Sequence, residues 1–354
     1  MKSHASIHWS QYIKRDSTTD IKKLENFRNN NLSYGLDDFI DDNYGKILFE
    51  KLIKELKENY VLKFFNNKNI GKSKSFFIYK NKIIHYSHLF FVKWISILEK
   101  KIDLKKDINL ICEIGGGYGG LIEKILMISR PKVILIDLEI TNQLSYYYLT
   151  ENFPDLVIRK FNFNDTKNFK LSDLHGIDIA ILAPDIHIDK DIEIDLFINS
   201  RSFSEMEKKT IDSYYKFINT NISDNGYFLN INRYIKRSVG YNISLFRFPY
   251  GHYWKAIHSD FAWHQNKIHY LLCQKVSFKN PSFKKTIQVI KKNTLLQRKE
   301  DFKELIKNKL PNNPLKKTIV LFLESFFYIA ETILPYWLYV ALSKIKYNII
   351  KNTY

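Results

Sequence analysis

"ICEIGGGYGG", residues Ile111–Gly120, holds five of the chain's 12 glycines. The rest of the chain is rich in Lys, Ile, Asn and aromatic residues. Glycine lets a backbone turn tightly or approach a ligand closely, so its concentration here marks a site rather than a general flexibility. Upstream, "INLICEI" (108–114) is an apolar run of the kind a strand buried on both faces requires. Downstream, "LIEKILMI" (121–128) has helical spacing. The stretch is therefore a strand, a glycine loop and a helix in succession.

Outward from this unit, strands and helices alternate. "KVILID" (132–137) is a second strand and "ITNQLSYYYLTENF" (140–153) a second helix. "DLVIRKF" (155–161), "IDIAILAP" (177–184) and "IDLFINS" (194–200) are further strands, followed by the helix "SEMEKKTIDSYYKFINTNI" (204–222). "GYFLNINRY" (226–234) is another strand, and "DFAWHQ" with "KIHYLLCQKV" (260–276) closes the series as an antiparallel pair. This alternation predicts an α/β fold with a Rossmann-like, doubly wound sheet. The flanks are different. Residues 1–106 read as a mainly helical extension or cap. It contains an amphipathic helix over 44–65, two short strands around a Lys-Asn-Lys turn over 75–86, and a helix over 87–101. Residues 107–276 form the α/β domain, and 277–354 a basic, helical C-terminal extension.

Two cofactor classes use a strand–glycine loop–helix unit. The spacing of Gly115, Gly117 and Gly120 satisfies the G-x-G-x-x-G of dinucleotide sites, which alone is a weak signal. Glu113, Gly115, Gly117 and Gly119 also satisfy acid-x-G-x-G-x-G. A pyrophosphate over the helix N-terminus is repelled by a nearby carboxylate. S-adenosylmethionine (SAM) has no phosphate and carries an ammonium and a sulfonium, so Glu113 favours it. Asp137 ends the second strand, where ligands of such sheets lie, and can accept both hydroxyls of a ribose. Both cofactor classes use such an acid, so Asp137 supports nucleoside binding without choosing between them.

The net charge of +18 is unevenly spread. Residues 1–106 carry 21 Lys/Arg and 12 Asp/Glu (+9), residues 107–274 carry 18 and 20 (−2), and residues 275–354 carry 16 and 5 (+11). A nucleic-acid enzyme usually surrounds its active site with positive charge, whereas here the middle is close to neutral. The basic flanks suit an anionic membrane or a phosphate-bearing carrier, or are solvated lysine-rich surfaces. No signal peptide is visible in "MKSHASIHWSQYIKRD", and the two cysteines, Cys112 and Cys273, both fall in strand segments. A disulfide scaffold is excluded, and a cytoplasmic location is expected. No Cys/His spacing suggests a zinc site, and no metal ligand set is assigned.

With Glu113–Gly120 (EIGGGYGG), Ile136–Leu138 (IDL) followed by Tyr146–Leu149 (YYYL), Asn199–Met206 (NSRSFSEM) and Asn230–Tyr234 (NINRY), the chain resembles a bacterial family of sugar O-methyltransferases. That family lies within the class I SAM-dependent methyltransferase superfamily. The resemblance runs from about residue 27 to 275 and is strongest between 110 and 234. Glu139 stands where the family usually has Pro after "DL", and the segment from Asp137 to Asn199 is long. Whether Asp165 or Ala183–Asp185 covers the adenine therefore stays open. The resemblance implies methyl transfer from SAM to a sugar hydroxyl, in surface polysaccharide or glycan synthesis. The acceptor is nucleotide-linked, lipid-linked or polymeric. The expected cofactor-binding residues are Glu113, Gly115, Gly117, Tyr118, Gly119, Asp137, Leu138 and Asn199. The competing readings are an RNA or other small-molecule SAM-dependent methyltransferase, and a non-catalytic, membrane-associated subunit with the same fold.

A sugar hydroxyl is a poor acid, so a base or a cation near it helps. Arg201 and Glu205 follow the fourth strand on a strand-to-helix loop, where acceptors of such folds bind. Glu205 is a base or a ligand of sugar hydroxyls; alternatively, Ser202-Phe-Ser-Glu205 is a helix-capping box. Four histidines, His252, His258, His264 and His269, lie close together in sequence. His252, in a Pro-Tyr-Gly loop, is the favoured base, and His88 is the reserve candidate.

"IVLFLESFFYIAETILPYWLYVAL" (319–342) is long enough to span a bilayer, but Glu324, Glu331 and Pro335 interrupt it. Its 13 Leu, Ile, Val and Phe residues gain roughly 4 to 8 kcal/mol on insertion, and the two glutamates cost roughly 5 to 7, so spanning is near break-even. Residues 316–350 are expected to pack on the core, to pack on a second subunit as a homodimer, to lie in a membrane interface at the inner face of the membrane, or to span the membrane.

Overall fold

The computed structural model describes residues 21–29, 40–164, 166–237, 239, 241–308, 314–334, 338–339, 341–343 and 345. Eight strands form one sheet: β1 (Leu110–Ile114), β2 (Lys132–Ile136), β3 (Ile158–Phe161), β4 (Ile179–Leu182), β5 (Ile194–Ser200), β6 (Ile222–Arg233), β7 (Trp254–Ala262) and β8 (Gln265–Lys275). Their order is β3-β4-β2-β1-β5-β6-β8-β7. Every neighbouring pair from β3 to β6 is parallel, and β8 is antiparallel to both β6 and β7. From β1 the chain winds outward through β2 to β4 and β3, then returns to the other side of β1 for β5 and β6. The topological switch therefore lies between β1 and β5, at whose carboxyl ends a doubly wound fold binds its ligand.

Every residue of β1 is buried, because helices cover both faces of the sheet. The helices longer than five residues are α1 (Asp42–Leu56), α2 (Tyr86–Glu99), α3 (Gly120–Leu126), α4 (Glu139–Asn152), α5 (Lys208–Asn221), α6 (Ser282–Asn308) and α7 (Pro314–Ile333). Successive strand residues alternate between two cores. Ile111, Val133, Leu135, Leu196 and Ile198 pack with residues of α1 to α4. Cys112, Ile134, Ile136, Phe197 and Phe228 pack with Ile211, Tyr215 and Ile218 of α5 and with Phe283 and Ile290 of α6. The buried positions of α5, spaced four and three apart, are the apolar stripe of an amphipathic helix. The N-terminal helices α1 and α2 thus share a core with one face of the sheet.

Several local expectations are revised. The helix expected over 44–65 breaks at Lys57, whose φ of 67° cannot continue a right-handed helix; Glu58–Leu62 forms a separate turn. At its start the Asp41 carboxylate accepts hydrogen bonds from the Asn43 and Tyr44 N–H groups. Strand β7 begins at Trp254, six residues before the expected start, because only Trp254 and Ala262 of this edge strand are buried and its apolar rhythm is weak. The long segment between Asp137 and Asn199 accommodates β3, β4 and a small parallel pair, Asn168–Phe169 with His187–Ile188. Register places Cys112, Phe197, Phe228 and Cys273 in one row across four strands. Three strand spacings of about 4.8 Å separate the thiols, which are buried and free.

Of the C-terminal apolar stretch, Val320, Phe327 and Ala330 of α7 are buried, and Phe327 and Ala330 form a small core with Tyr339. Pro335, Tyr336, Trp337, Lys344 and Lys346, like Asp165, lie outside the described residues. Among the described residues no helix is long and apolar enough to cross a membrane.

Candidate active-site cleft

The carboxyl ends of β1, β2 and β5 enclose a cleft lined by Glu113, Gly115–Tyr118, Ile136–Leu138, Ser200–Ser202, Glu205, Met206 and Tyr214, among others. Its floor is the glycine loop. Gly115 has φ +72°, and a Cβ there would lie 2.3 Å from the Ser202 Cβ, so this position admits only glycine. The Gly115 N–H donates to the Ile136 carbonyl at 2.7 Å. The Gly117 N–H donates to Asp137 Oδ2 at 2.9 Å, and the Leu138 N–H to Oδ1 at 2.7 Å. Asp137 thereby ties the loop to the end of β2.

Two carboxylates face the cleft with little solvent to support them. Glu113 is 1% exposed, and its Oε2 has no hydrogen-bond partner among the described residues. Burial, reinforced by the negative charge of Asp137, holds its carboxyl well above the usual carboxylate range. Asp137 is pushed up to about 6, chiefly by burial; the N–H donors of Gly117 and Leu138 oppose the shift and the charge of Glu205 adds to it. Buried polar atoms are almost always paired, so an orphan carboxylate oxygen on a cleft wall marks a place where a cationic ligand group supplies the missing partner.

The opposite wall is the β5–α5 loop. Arg201 has φ +67°, a left-handed conformation that costs a non-glycine residue on the order of 1–3 kcal/mol and recurs at functional sites. Its N–H is fixed on the Ile231 carbonyl at 2.6 Å. The Glu205 carboxylate lines the cleft and pairs with the Lys236 ammonium. Arg201 also lines an adjoining cavity with Tyr44, Phe90, Arg233, His264 and Gln265–Ile268.

Of the other expected site residues, Tyr118 and Leu138 line the cleft, whereas Gly119, Asn199, His88 and His252 are not among its lining residues. Asn199 does not present its amide to the cleft. Its Nδ2 donates to the Ile114 carbonyl (2.8 Å) and to Ser202 Oγ (2.6 Å), and its Oδ1 accepts from the Phe203 N–H (3.1 Å) and from Asn232 Nδ2 (2.7 Å). Asn232 Nδ2 also donates to Asn230 Oδ1, and Asn230 Nδ2 to the hydroxyls of Tyr215 and Tyr250. Asn199 is thus one end of a buried network, and its amide is saturated by protein. Ser202 stands at the start of the short 3-10 turn Phe203–Glu205 but caps nothing with its side chain: its hydroxyl donates to the Ile114 carbonyl at 3.1 Å, and α5 starts only at Lys208.

Tyr118 lines the cleft, but its hydroxyl shares a hydrogen bond with His88 Nε2 at 2.9 Å, and its ring packs against Phe27 and Tyr148. His88 is fully buried, and burial holds it well below the usual histidine range, so this reserve base candidate anchors the glycine loop to α2. His252 is exposed and sits two residues before Trp254, which pairs with Lys275 at the end of β8. That end lies beside Tyr227 and the amino-terminal half of β6, so the fold carries His252 to the side of the sheet opposite the cleft. His269 is buried between Tyr234 and Ser259. Of the segment Ala183–Asp185, Pro184 lines the cleft.

What sequence reading missed is the network of Asn230 and Asn232. Its signal was present: two asparagines at alternate positions of an apolar strand share one face and, if buried, require partners.

No protein-family profile matches the sequence, and no curated protein is significantly similar to it. Solved structures, methyltransferases among them, do resemble the chain. The pyocyanin biosynthetic protein PhzM is 11% identical, with a TM-score of 0.35, over 54% of this chain and 57% of its own. The mitomycin 7-O-methyltransferase MmcR is 12% identical, with a TM-score of 0.35, over 53% and 57%. CalS10, an amino pentose methyltransferase from Micromonospora echinaspora involved in calicheamicin biosynthesis, is 7% identical, with a TM-score of 0.36, over 53% and 92%. The chain thus spans less than two thirds of the length of PhzM and MmcR.

Proposed function

We propose that this chain is a SAM-dependent O-methyltransferase acting on a sugar hydroxyl in glycan synthesis. Glu113 carries the cofactor assignment: a buried carboxyl with an unpartnered oxygen on the cleft wall gains a partner, and its charge, from a cationic group such as an ammonium, and offers a pyrophosphate no counter-charge. When bound, SAM supplies a methyl group on a sulfonium that is already a strong electrophile. The chain's residues have to bind it, align a hydroxyl with it and keep water out.

The glycine loop gives the ligand a close backbone surface, and Glu113 meets its cationic end. Asp137, held by the Gly117 and Leu138 N–H groups, keeps acceptor capacity for the ribose hydroxyls. Glu205 is the proton acceptor of this reading. It lines the cleft between Ser202 and Met206, where the Lys236 ammonium holds its carboxylate in place. Glu205 would hold the proton that the acceptor hydroxyl loses when the methyl group leaves the sulfonium sulfur for the hydroxyl oxygen, with S-adenosylhomocysteine as the leaving group. Arg201 stands between the cleft and the adjoining cavity, which is the acceptor side of this reading. That cavity combines planar hydrogen-bonding groups (Arg233, Gln265, Asn266) with aromatic ones (Tyr44, Phe90), which suits the edges and faces of a sugar ring.

Calorimetric titration with S-adenosylhomocysteine and with NAD tests the cofactor, and transfer of labelled methyl from SAM to nucleotide sugars and isolated glycans tests the acceptor. Binding of S-adenosylhomocysteine without NAD, and alkali-stable label in the sugar, is the expected result. Tight NAD binding overturns the assignment.

A further inference from the structure

The methyl-transfer reading leaves a surface on the C-terminal helices unused. On α7, Ile319, Phe322, Phe326 and Ile329 are 37%, 68%, 46% and 56% exposed. Spacings of three, four and three residues place all four on one side of the helix. Isolated exposed apolar residues are ordinary, whereas a continuous stripe including two phenylalanines marks an interaction surface. On α6, Lys285, Val289, Lys292, Leu296, Lys299 and Lys303 are exposed at spacings of four, three, four, three and four. That second stripe mixes lysines with apolar side chains on one face.

We propose that α6 and α7 form a reversible docking surface for an anionic lipid bilayer. Charge selects this occupant. Residues 275–354 carry 16 Lys/Arg against 5 Asp/Glu, a net +11. A two-fold contact between copies sets one patch against itself and opposes these excess charges. An acidic bilayer neutralises them, each lysine near its surface adds to binding, and salt screens the attraction. The phenylalanines enter the headgroup boundary, while lysine stems lie along it with their ammonium groups in water. Since no helix among the described residues is long and apolar enough to cross a membrane, the contact is interfacial. The surface stands independently of the chemistry assigned to the cleft.

Co-sedimentation of the full-length protein with vesicles tests this. The vesicles are phosphatidylcholine, with or without about one third phosphatidylserine, in low salt and in about 0.5 M salt. The expected result is binding to the mixed vesicles at low salt, at least about tenfold weaker on pure phosphatidylcholine or in high salt. The F322S/F326S variant, altered only at exposed positions, should bind about tenfold or more weakly, with an unchanged melting curve. Absence of binding at low salt, equal binding to neutral vesicles, or full binding by F322S/F326S overturns the proposal. So does a dimer in sedimentation velocity that F322S/F326S dissociates, since the surface then belongs to a second copy.

Discussion

Glu113 and Asn199 stand on adjacent strands, with Glu113 in register with Ile198, yet the fold treats them in opposite ways. Asn199 is buried with its amide spent on four protein partners. Glu113 is equally buried and keeps an oxygen with no partner among the described residues. A saturated polar group holds the scaffold together; an unsaturated one on a cleft wall costs stability and is tolerated for what it binds. The cleft is built by placing one kind of group beside the other. The Asn199–Asn232–Asn230 network fixes where β5 and its loop stop, and the two acids are left exposed to the ligand.

The largest effect expected is on the saturated side. Asn232→Leu orphans the Ser204 N–H and leaves Asn199 and Asn230 each short of a donor, so the urea midpoint should report a loss of about 2–4 kcal/mol. Near-wild-type stability would mean that the network carries no structural load. On the unsaturated side, Asp137→Ala should weaken SAM binding by roughly 1.5–3 kcal/mol through loss of charge-assisted hydrogen bonds. A smaller effect sharpens the comparison by pH. The folded chain holds the Asp137 proton up to about 6, whereas the unfolded chain releases it near about 4. The folded state therefore binds more protons across that window. This contribution is complete below about 4 and lost as pH rises through about 6. Denaturant midpoints of the ligand-free protein measured across this range should show that step, and Asp137→Asn should flatten it. Smallest of all, His252→Ala, exposed and on the far side of the sheet, should change stability by less than about 0.5 kcal/mol and leave methyl transfer intact. Loss of activity in that variant would return His252 to the site.

The strands that were legible in sequence are those buried on both faces, such as β1 and β2, whose apolar runs leave little ambiguity. That Glu113, Gly115, Gly117 and Asp137 come together at one cleft was legible for a different reason: their positions relative to one loop follow from local geometry alone. Asn199 was misjudged because its partners come from β6 and from Ile114, a pairing set by sheet register and invisible to local spacing. His252 was misjudged because nearness in sequence to β6 says nothing of which end of the sheet the next loop reaches. His88 looked available on an apolar helix, and only packing of α2 against the glycine loop shows that its ring is enclosed.

The most direct measurement is a calorimetric titration of SAM into the wild-type protein and Glu113→Gln, in buffers of different ionisation heat between about pH 5 and 8. A cation placed against Glu113 draws its carboxyl back toward the ordinary range, so binding to the wild type should release protons where the free enzyme holds them. Glu113→Gln should bind at least about tenfold more weakly, release fewer protons and unfold at an equal or higher urea concentration. Equal affinity of the two proteins with no proton release would contradict the assignment of Glu113 as the group that receives the cationic end of the ligand.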